Sequence, residues 1–77
     1  MEEKILIQFG KQVRMLRQKQ NISQEKLALI ADLDRTYISG IERGKRNISL
    51  LNISKIADAL HIELTTLFDF DKAGNHE

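Results

Sequence analysis

The side chains best suited to chemistry lie between residues 35 and 47, where four cations stand close to hydroxyl and amide groups. Guanidinium and ammonium groups form charge-assisted hydrogen bonds with anions. This pattern favours an anionic partner, although an ordinary solvated surface accounts for the charge equally well. The residues concerned are Arg35, Thr36, Ser39 and Arg43 on the outward face of one predicted helix, and Lys45, Arg46 and Asn47 in the loop after it.

The distribution of charge is more informative than the net charge, which is only +1. Residues 1–20 carry a charge of +3 and residues 35–46 another +3, whereas residues 21–34 carry −2 and residues 47–77 carry −3. A chain with this asymmetry can be oriented by the field of a polyanion.

Other kinds of chemistry find no support in the sequence. No nucleophile stands beside a general base, and no glycine-rich phosphate loop is present. The chain has no cysteine, and His61 and His76 stand in no metal-ligand spacing. No apolar run is long enough to span a membrane, and the N-terminus lacks a secretory signal. We therefore expect a cytoplasmic protein that is not an enzyme, with no cofactor, small-molecule substrate or membrane partner.

The basic side chains are positioned by helices, because apolar residues recur at helical spacing and no strand pattern is present. Residues 1–77 are expected to form one domain, with a core over about 5–70 and a polar tail over 71–77. The predicted fold is all-α, a compact five-helix bundle. Its helices are about Glu3–Gln20 (apolar at Ile5, Phe9, Val13 and Leu16), Gln24–Ala31 (apolar at Leu27, Ala28, Ile30 and Ala31), Arg35–Arg43, a fourth after Ser49 (burying Leu50, Ile53, Ile56, Ala57 and Leu60), and Leu64–Phe68.

The second and third helices have the features of a helix-turn-helix over the stretch QEKLALIADLDRTYISGIER. Ser23 and Asp34 are expected as N-caps of these helices, and Gly44 as the C-terminal cap of the third. The small Ala28 stands where the two helices must cross. Asp32 stands in the turn, where the backbone must be left-handed, a conformation that aspartate tolerates. The apolar residues that lock the pair together are Leu27, Ala31, Leu33, Ile38 and Ile41.

At this point a family resemblance can be stated. The stretch SQEKLALIADLDRTYISGIERGKRNISL resembles the Cro/repressor-like (XRE) helix-turn-helix family, and the resemblance extends over about residues 9–68. More narrowly, LDRTYISGIERGKRNISL resembles controller proteins of restriction–modification systems. The resemblance implies a lambda-repressor-like domain that binds a palindromic operator in double-stranded DNA as a homodimer and regulates transcription of its own operon. Two alternatives remain open: a phage- or plasmid-type repressor, and a protein-interaction module that keeps the fold without binding DNA.

The family pattern assigns base contacts to the recognition helix and the loop after it. Arginine forms bidentate hydrogen bonds with guanine, and a threonine methyl group contacts the methyl group of thymine. Gly40 occupies a position that carries a base-contacting side chain in some relatives, so that contact is absent. The expected base contacts are Arg35, Thr36, Ser39 and Arg46.

Phosphate contacts are expected around this helix, where they set affinity and register rather than sequence preference. Gln24 is alternatively a plain polar residue at a helix start. Tyr37 alternatively covers the edge of the core, and a phosphate contact or a solvated charge is the alternative for Arg35. The expected phosphate contacts are Gln24, Tyr37, Arg43, Lys45 and Asn47.

Two further groups of residues are assigned to structure and assembly. The family resemblance implies a buried ion pair between Arg17 and Glu42, which ties the first helix to the end of the third. Four apolar residues in the C-terminal part lack an evident partner within one chain and are expected at a homodimer interface, with Phe68 alternatively in the core. The expected interface residues are Leu51, Leu64, Phe68 and Phe70.

Overall fold

Five helices follow one another in a computed structural model that describes residues 3–70. They are α1 (Lys4–Lys19), α2 (Gln24–Ala31), α3 (Arg35–Glu42), α4 (Leu50–Leu60) and α5 (Leu64–Leu67). No strand occurs among the residues described. The predicted all-helical fold is confirmed, and the helix boundaries agree with the predicted ones to within one residue. The predicted polar tail, 71–77, lies outside the described residues.

The core is formed by apolar side chains from all five helices. It contains Phe9 and Val13 of α1, Leu27, Ala28 and Ala31 of α2, Ile38 and Ile41 of α3, Ile53, Ile56, Ala57, Ala59 and Leu60 of α4, and Leu67 of α5.

Three apolar residues of the predicted helices are exposed, among them Leu50, which we predicted to be buried. Leu50 is 76% exposed, because it is the first residue of α4 and lies beyond the edge of the core. Ile5 is exposed for the same reason, because it is the second residue of α1. Ile30 lines a surface groove between α2 and α4, beside Lys55 and Asp58. Helical spacing alone does not distinguish a core position from one that lies on the same stripe but past the end of the packed region.

Several helix ends are set by residues in the left-handed backbone conformation. Asp32 has φ 60° after α2, as predicted for the turn, and Gly44 has φ 74° shortly after α3. Asn21 and His61 follow α1 and α4 with φ 59° each. This conformation satisfies the last helical carbonyls, because the chain turns back and its amides reach them.

The helix α1 is fastened to the rest of the domain by polar contacts as well as by apolar packing. The Gln12 side chain donates a hydrogen bond of 2.9 Å to the carbonyl of Thr66 in α5, and that of Gln20 one of 2.7 Å to the carbonyl of Leu60. At Gly10 a Cβ atom would collide with the carbonyl of Ile41, so α1 and the end of α3 are in close backbone contact. No helix within residues 3–70 is both long and apolar enough to cross a membrane.

Candidate nucleic-acid interface

The helix-turn-helix is formed by α2, a three-residue turn from Asp32 to Asp34, and α3. The Ser23 hydroxyl caps α2 by accepting a hydrogen bond of 2.9 Å from the amide of Lys26. At the other end of α2, the amide of Leu33 donates to the carbonyl of Ala28 at 2.9 Å. Leu27 of α2 and Ile38 of α3 are both fully buried, so the angle between the two helices is fixed by packing.

Asp34 precedes α3 as predicted, but its side chain makes no capping bond to a backbone amide. Its carboxylate instead accepts a hydrogen bond from the hydroxyl of Thr36. Thr36 is one of the predicted base-contact residues, and its hydroxyl donor is therefore engaged within the protein. The methyl group of Thr36 remains the part of this side chain suited to a thymine.

A buried ion pair joins α1 to the end of α3. Arg17 Nε lies 2.7 Å from Glu42 Oε2, and the Arg17 Nη2 atom donates to Glu42 Oε1 at 3.0 Å. Arg17 Nη1 donates to the carbonyl of Ile22 at 2.8 Å. This is the pair that the family resemblance implied, and it holds the last turn of α3 against α1.

The network extends to Gln24 at the start of α2. Gln24 Nε2 donates to Glu42 Oε1 at 3.0 Å. One amide hydrogen of Gln24 is therefore used inside the protein, whereas the second hydrogen and the carbonyl oxygen are available to a ligand. The predicted phosphate contact by Gln24 is compatible with this geometry, and the structural use of its amide was missed by sequence reasoning.

The predicted base-contact residues lie together on α3 and the loop that follows it. Arg35, Thr36 and Arg46 are exposed, and Ser39 is half-buried. Among the predicted phosphate contacts, Arg43, Lys45 and Asn47 are exposed, whereas Gln24 and Tyr37 are half-buried.

Tyr37 connects the recognition helix with α4 and with the loop. Its hydroxyl accepts a hydrogen bond of 3.1 Å from the side-chain amide of Asn52. The guanidinium carbon of Arg46 lies 5.1 Å from the centre of the Tyr37 ring, within the range of a cation–π contact. The ring also packs against the core, in line with the second of our two interpretations of Tyr37. No sequence signal pointed to Asn52.

The exposed part of this segment is cationic because its only carboxylate is buried. From Arg35 to Ile48 the sole acidic residue is Glu42, and it is paired with Arg17 in the interior. Arg35, Arg43, Lys45 and Arg46 are all exposed along the same segment. Such a surface attracts a polyanion, and arginine and lysine are side chains that donate hydrogen bonds to DNA phosphates.

The four residues predicted at a dimer interface differ in how far they are exposed. Leu51 is 66% exposed, and Leu64 and Phe68 are each 43% exposed. Phe68 lies between two other rings, with centroids 5.2 Å from Phe9 and 6.3 Å from Phe70. Phe70 is half-buried against the core. Phe68 and Phe70 therefore support the domain itself as well as contributing apolar surface.

Known proteins similar to this chain include helix-turn-helix proteins. The family model described as helix-turn-helix matches residues 13–67. The control protein C.BamHI of Bacillus amyloliquefaciens is 54% identical over 78 residues, which cover 100% of this chain and 96% of that protein.

Two solved structures are also similar to the chain. The restriction–modification controller protein C.AhdI from Aeromonas hydrophila has a TM-score of 0.81 at 52% identity, covering 82% of this chain and 96% of its own. The controller protein C.Esp1396I, solved as a tetramer in complex with its natural 35 base-pair operator, has a TM-score of 0.82 at 34% identity, covering 88% of this chain and 90% of its own.

Proposed function

The chain belongs to the XRE-type helix-turn-helix family, and on that premise we propose that it is a restriction–modification controller protein, a transcriptional regulator that binds its operator as a homodimer. The observation that carries this proposal is the exposed cationic segment of α3 and its loop, whose only carboxylate is neutralised in the interior. We infer that it acts in the cytoplasm, where operator DNA lies.

The same observation argues against a module that keeps the fold without binding DNA. The exposed face of α3 in such a module would be free to carry acidic residues. Here the exposed positions at the start of α3 are Arg35 and Thr36, and Arg43 follows its last turn. We propose that the chain, like the DNA-binding regulators of its family, is not an enzyme.

Selection from a pool of random-sequence duplexes tests the proposal directly. The protein is expected to enrich an inverted repeat, because a two-fold symmetric dimer places one recognition helix in each half-site, about 34 Å or one DNA turn apart. Affinity for the selected duplex is expected to fall steeply with salt. Enrichment of no motif, or of one without internal symmetry, would contradict the proposal.

Residue-level specificity is tested by comparing Arg35→Ala with Lys45→Ala. Loss of Arg35 is expected to cost about 1–3 kcal/mol on the selected operator and to relax discrimination at one base pair. Loss of Lys45 is expected to weaken binding to all DNA sequences similarly. It is also expected to lower, by about one, the slope of the logarithm of the binding constant against the logarithm of the salt concentration. Titrations on the operator and on a scrambled duplex distinguish the two. Equal losses on both duplexes for Arg35→Ala would exclude base contact by Arg35.

A further inference from the structure

The Arg46 side chain lies across the recognition helix at the one position that has no side chain. A Cβ atom built on Gly40 would lie 2.9 Å from Arg46 Cγ and 3.3 Å from Arg46 Nε. Farther along the same side chain, the guanidinium carbon is 5.1 Å from the centre of the Tyr37 ring. Since Tyr37 and Gly40 are three residues apart on α3, they share one face of the helix. The stem of Arg46 therefore passes over Gly40 before its head group reaches Tyr37.

The platform on which the guanidinium rests is itself held in place. The Tyr37 ring is half-buried against the core, and its hydroxyl accepts a hydrogen bond from Asn52 of α4. Arg46 belongs to an exposed loop and would otherwise sample many rotamers. Stacking on a fixed ring removes much of that freedom before any ligand binds, and a preorganised side chain loses less entropy on binding.

Glycine is an unfavourable choice for the interior of a helix. It loses more backbone freedom on folding than alanine does, so Gly40 weakens α3. The contact with Arg46 gives a physical reason for glycine at this site. Our prediction that Gly40 makes no base contact of its own is compatible with this second role of the position.

We propose that Gly40 is a positioning residue for DNA recognition: the missing Cβ lets the Arg46 guanidinium lie on Tyr37, at the surface that faces DNA. This role rests on the proposed function. Gly40 would affect operator recognition without itself contacting DNA. In this arrangement Gly40 acts through Arg46 alone.

The first experiment substitutes alanine at position 40. Arg46 Cγ is close to its own backbone, so a new Cβ at 2.9 Å requires the Arg46 side chain to shift from its place over α3. Gly40→Ala is expected to melt at the same temperature as the parent or higher, because alanine favours the helix. Its affinity for the selected operator is expected to fall about tenfold, which corresponds to roughly 1.4 kcal/mol.

A double-mutant cycle separates positioning from a direct effect of the new methyl group. In an Arg46→Ala background, adding Gly40→Ala is expected to change operator affinity by less than about twofold, because the side chain that it displaces is gone. A loss in that background as large as in the parent would overturn the proposal, since the methyl group would then itself obstruct DNA. Unchanged affinity for Gly40→Ala in the parent would overturn it as well.

A measurement without DNA makes failure of this inference distinguishable from failure of the proposed function. Tyr37 is the only tyrosine in the chain, which has no tryptophan. Methylene protons of Arg46 are expected to be shifted upfield in the nuclear magnetic resonance spectrum by the current of that ring. The shift is expected to disappear in both Gly40→Ala and Tyr37→Leu.

If Arg46 shows no such shift in the parent, the inference is wrong even when the protein binds its operator. If the shift behaves as expected but no duplex is bound, the proposed function fails and the recognition role of Gly40 fails with it.

Discussion

Replacing Glu42 with alanine is expected to destabilise the folded domain by about 3–5 kcal/mol. The carboxylate of Glu42 accepts hydrogen bonds from two nitrogens of Arg17 and from the amide of Gln24. Its removal leaves the buried Arg17 guanidinium with the carbonyl of Ile22 as its remaining partner, and a buried charge without its counter-ion is costly. A loss of this size is a large part of the total stability of a small domain. Thermal and denaturant unfolding measure it.

Two further variants show whether the buried charge is the cause. Glu25→Ala removes the same charge from an exposed position in the first turn of α2, and is expected to cost less than about 1 kcal/mol. The double variant Arg17→Met with Glu42→Leu replaces the pair by apolar groups, and is expected to be more stable than Glu42→Ala alone. A melting temperature for Glu42→Ala within a degree or two of the parent would mean that the pair is solvated in solution.

Replacing Leu51 with glutamate is expected to convert the predicted homodimer into monomers and to weaken operator binding by about a hundredfold or more, roughly 2.7 kcal/mol. Leu51 is the second residue of α4 and 66% exposed, so the fold of one chain does not depend on its burial. A carboxylate in the first turn of a helix is favourable. In a two-fold symmetric interface, however, each substitution buries two carboxylates. Sedimentation across a concentration series, beside operator titrations, measures both effects.

Leu29→Glu is the matched control for this experiment. Leu29 is 74% exposed on α2, outside the predicted interface, and receives the same change of residue type. It is expected to leave the sedimentation of the parent unchanged. A parent that stays monomeric at tens of micromolar, yet binds the whole operator tightly without cooperativity, would contradict the dimer model. Phe70→Asp is less informative, because Phe70 also packs against the core.

The elements of this fold were predictable because their signals are local. Apolar spacing and the capping residue Ser23 define α2, and a left-handed residue at Asp32 ends it. Burial at the helix ends was less predictable. Leu50 and Ile53 fall on one stripe, but only Ile53 lies within the packed region. Where a core stops depends on the arrangement of all the helices, which no single segment encodes.

The candidate site shows the same division between local and tertiary information. Arg35 and Thr36 are predicted on α3 from the position of the helix, and the family resemblance implies the pairing of Arg17 with Glu42. The contact of Asn52 with Tyr37, and the course of Arg46 over Gly40, join residues of different elements and follow no periodicity. Glycine also has no side chain from which a contact could be predicted. The packing of Arg46 over Gly40 is therefore seen only in the three-dimensional structure.

Three helices of this domain are followed by a non-glycine residue in the left-handed conformation, at Asn21, Asp32 and His61. Glycine adopts this conformation with less strain, and each replacement is expected to stabilise the domain by up to about 1 kcal/mol. The domain is thus expected to be less stable than the same fold with glycine at these three positions. Proteins of marginal stability unfold often enough to be degraded in cells, so their abundance follows their synthesis closely. For the transcriptional regulator that we propose, this would let its level fall soon after its synthesis stops.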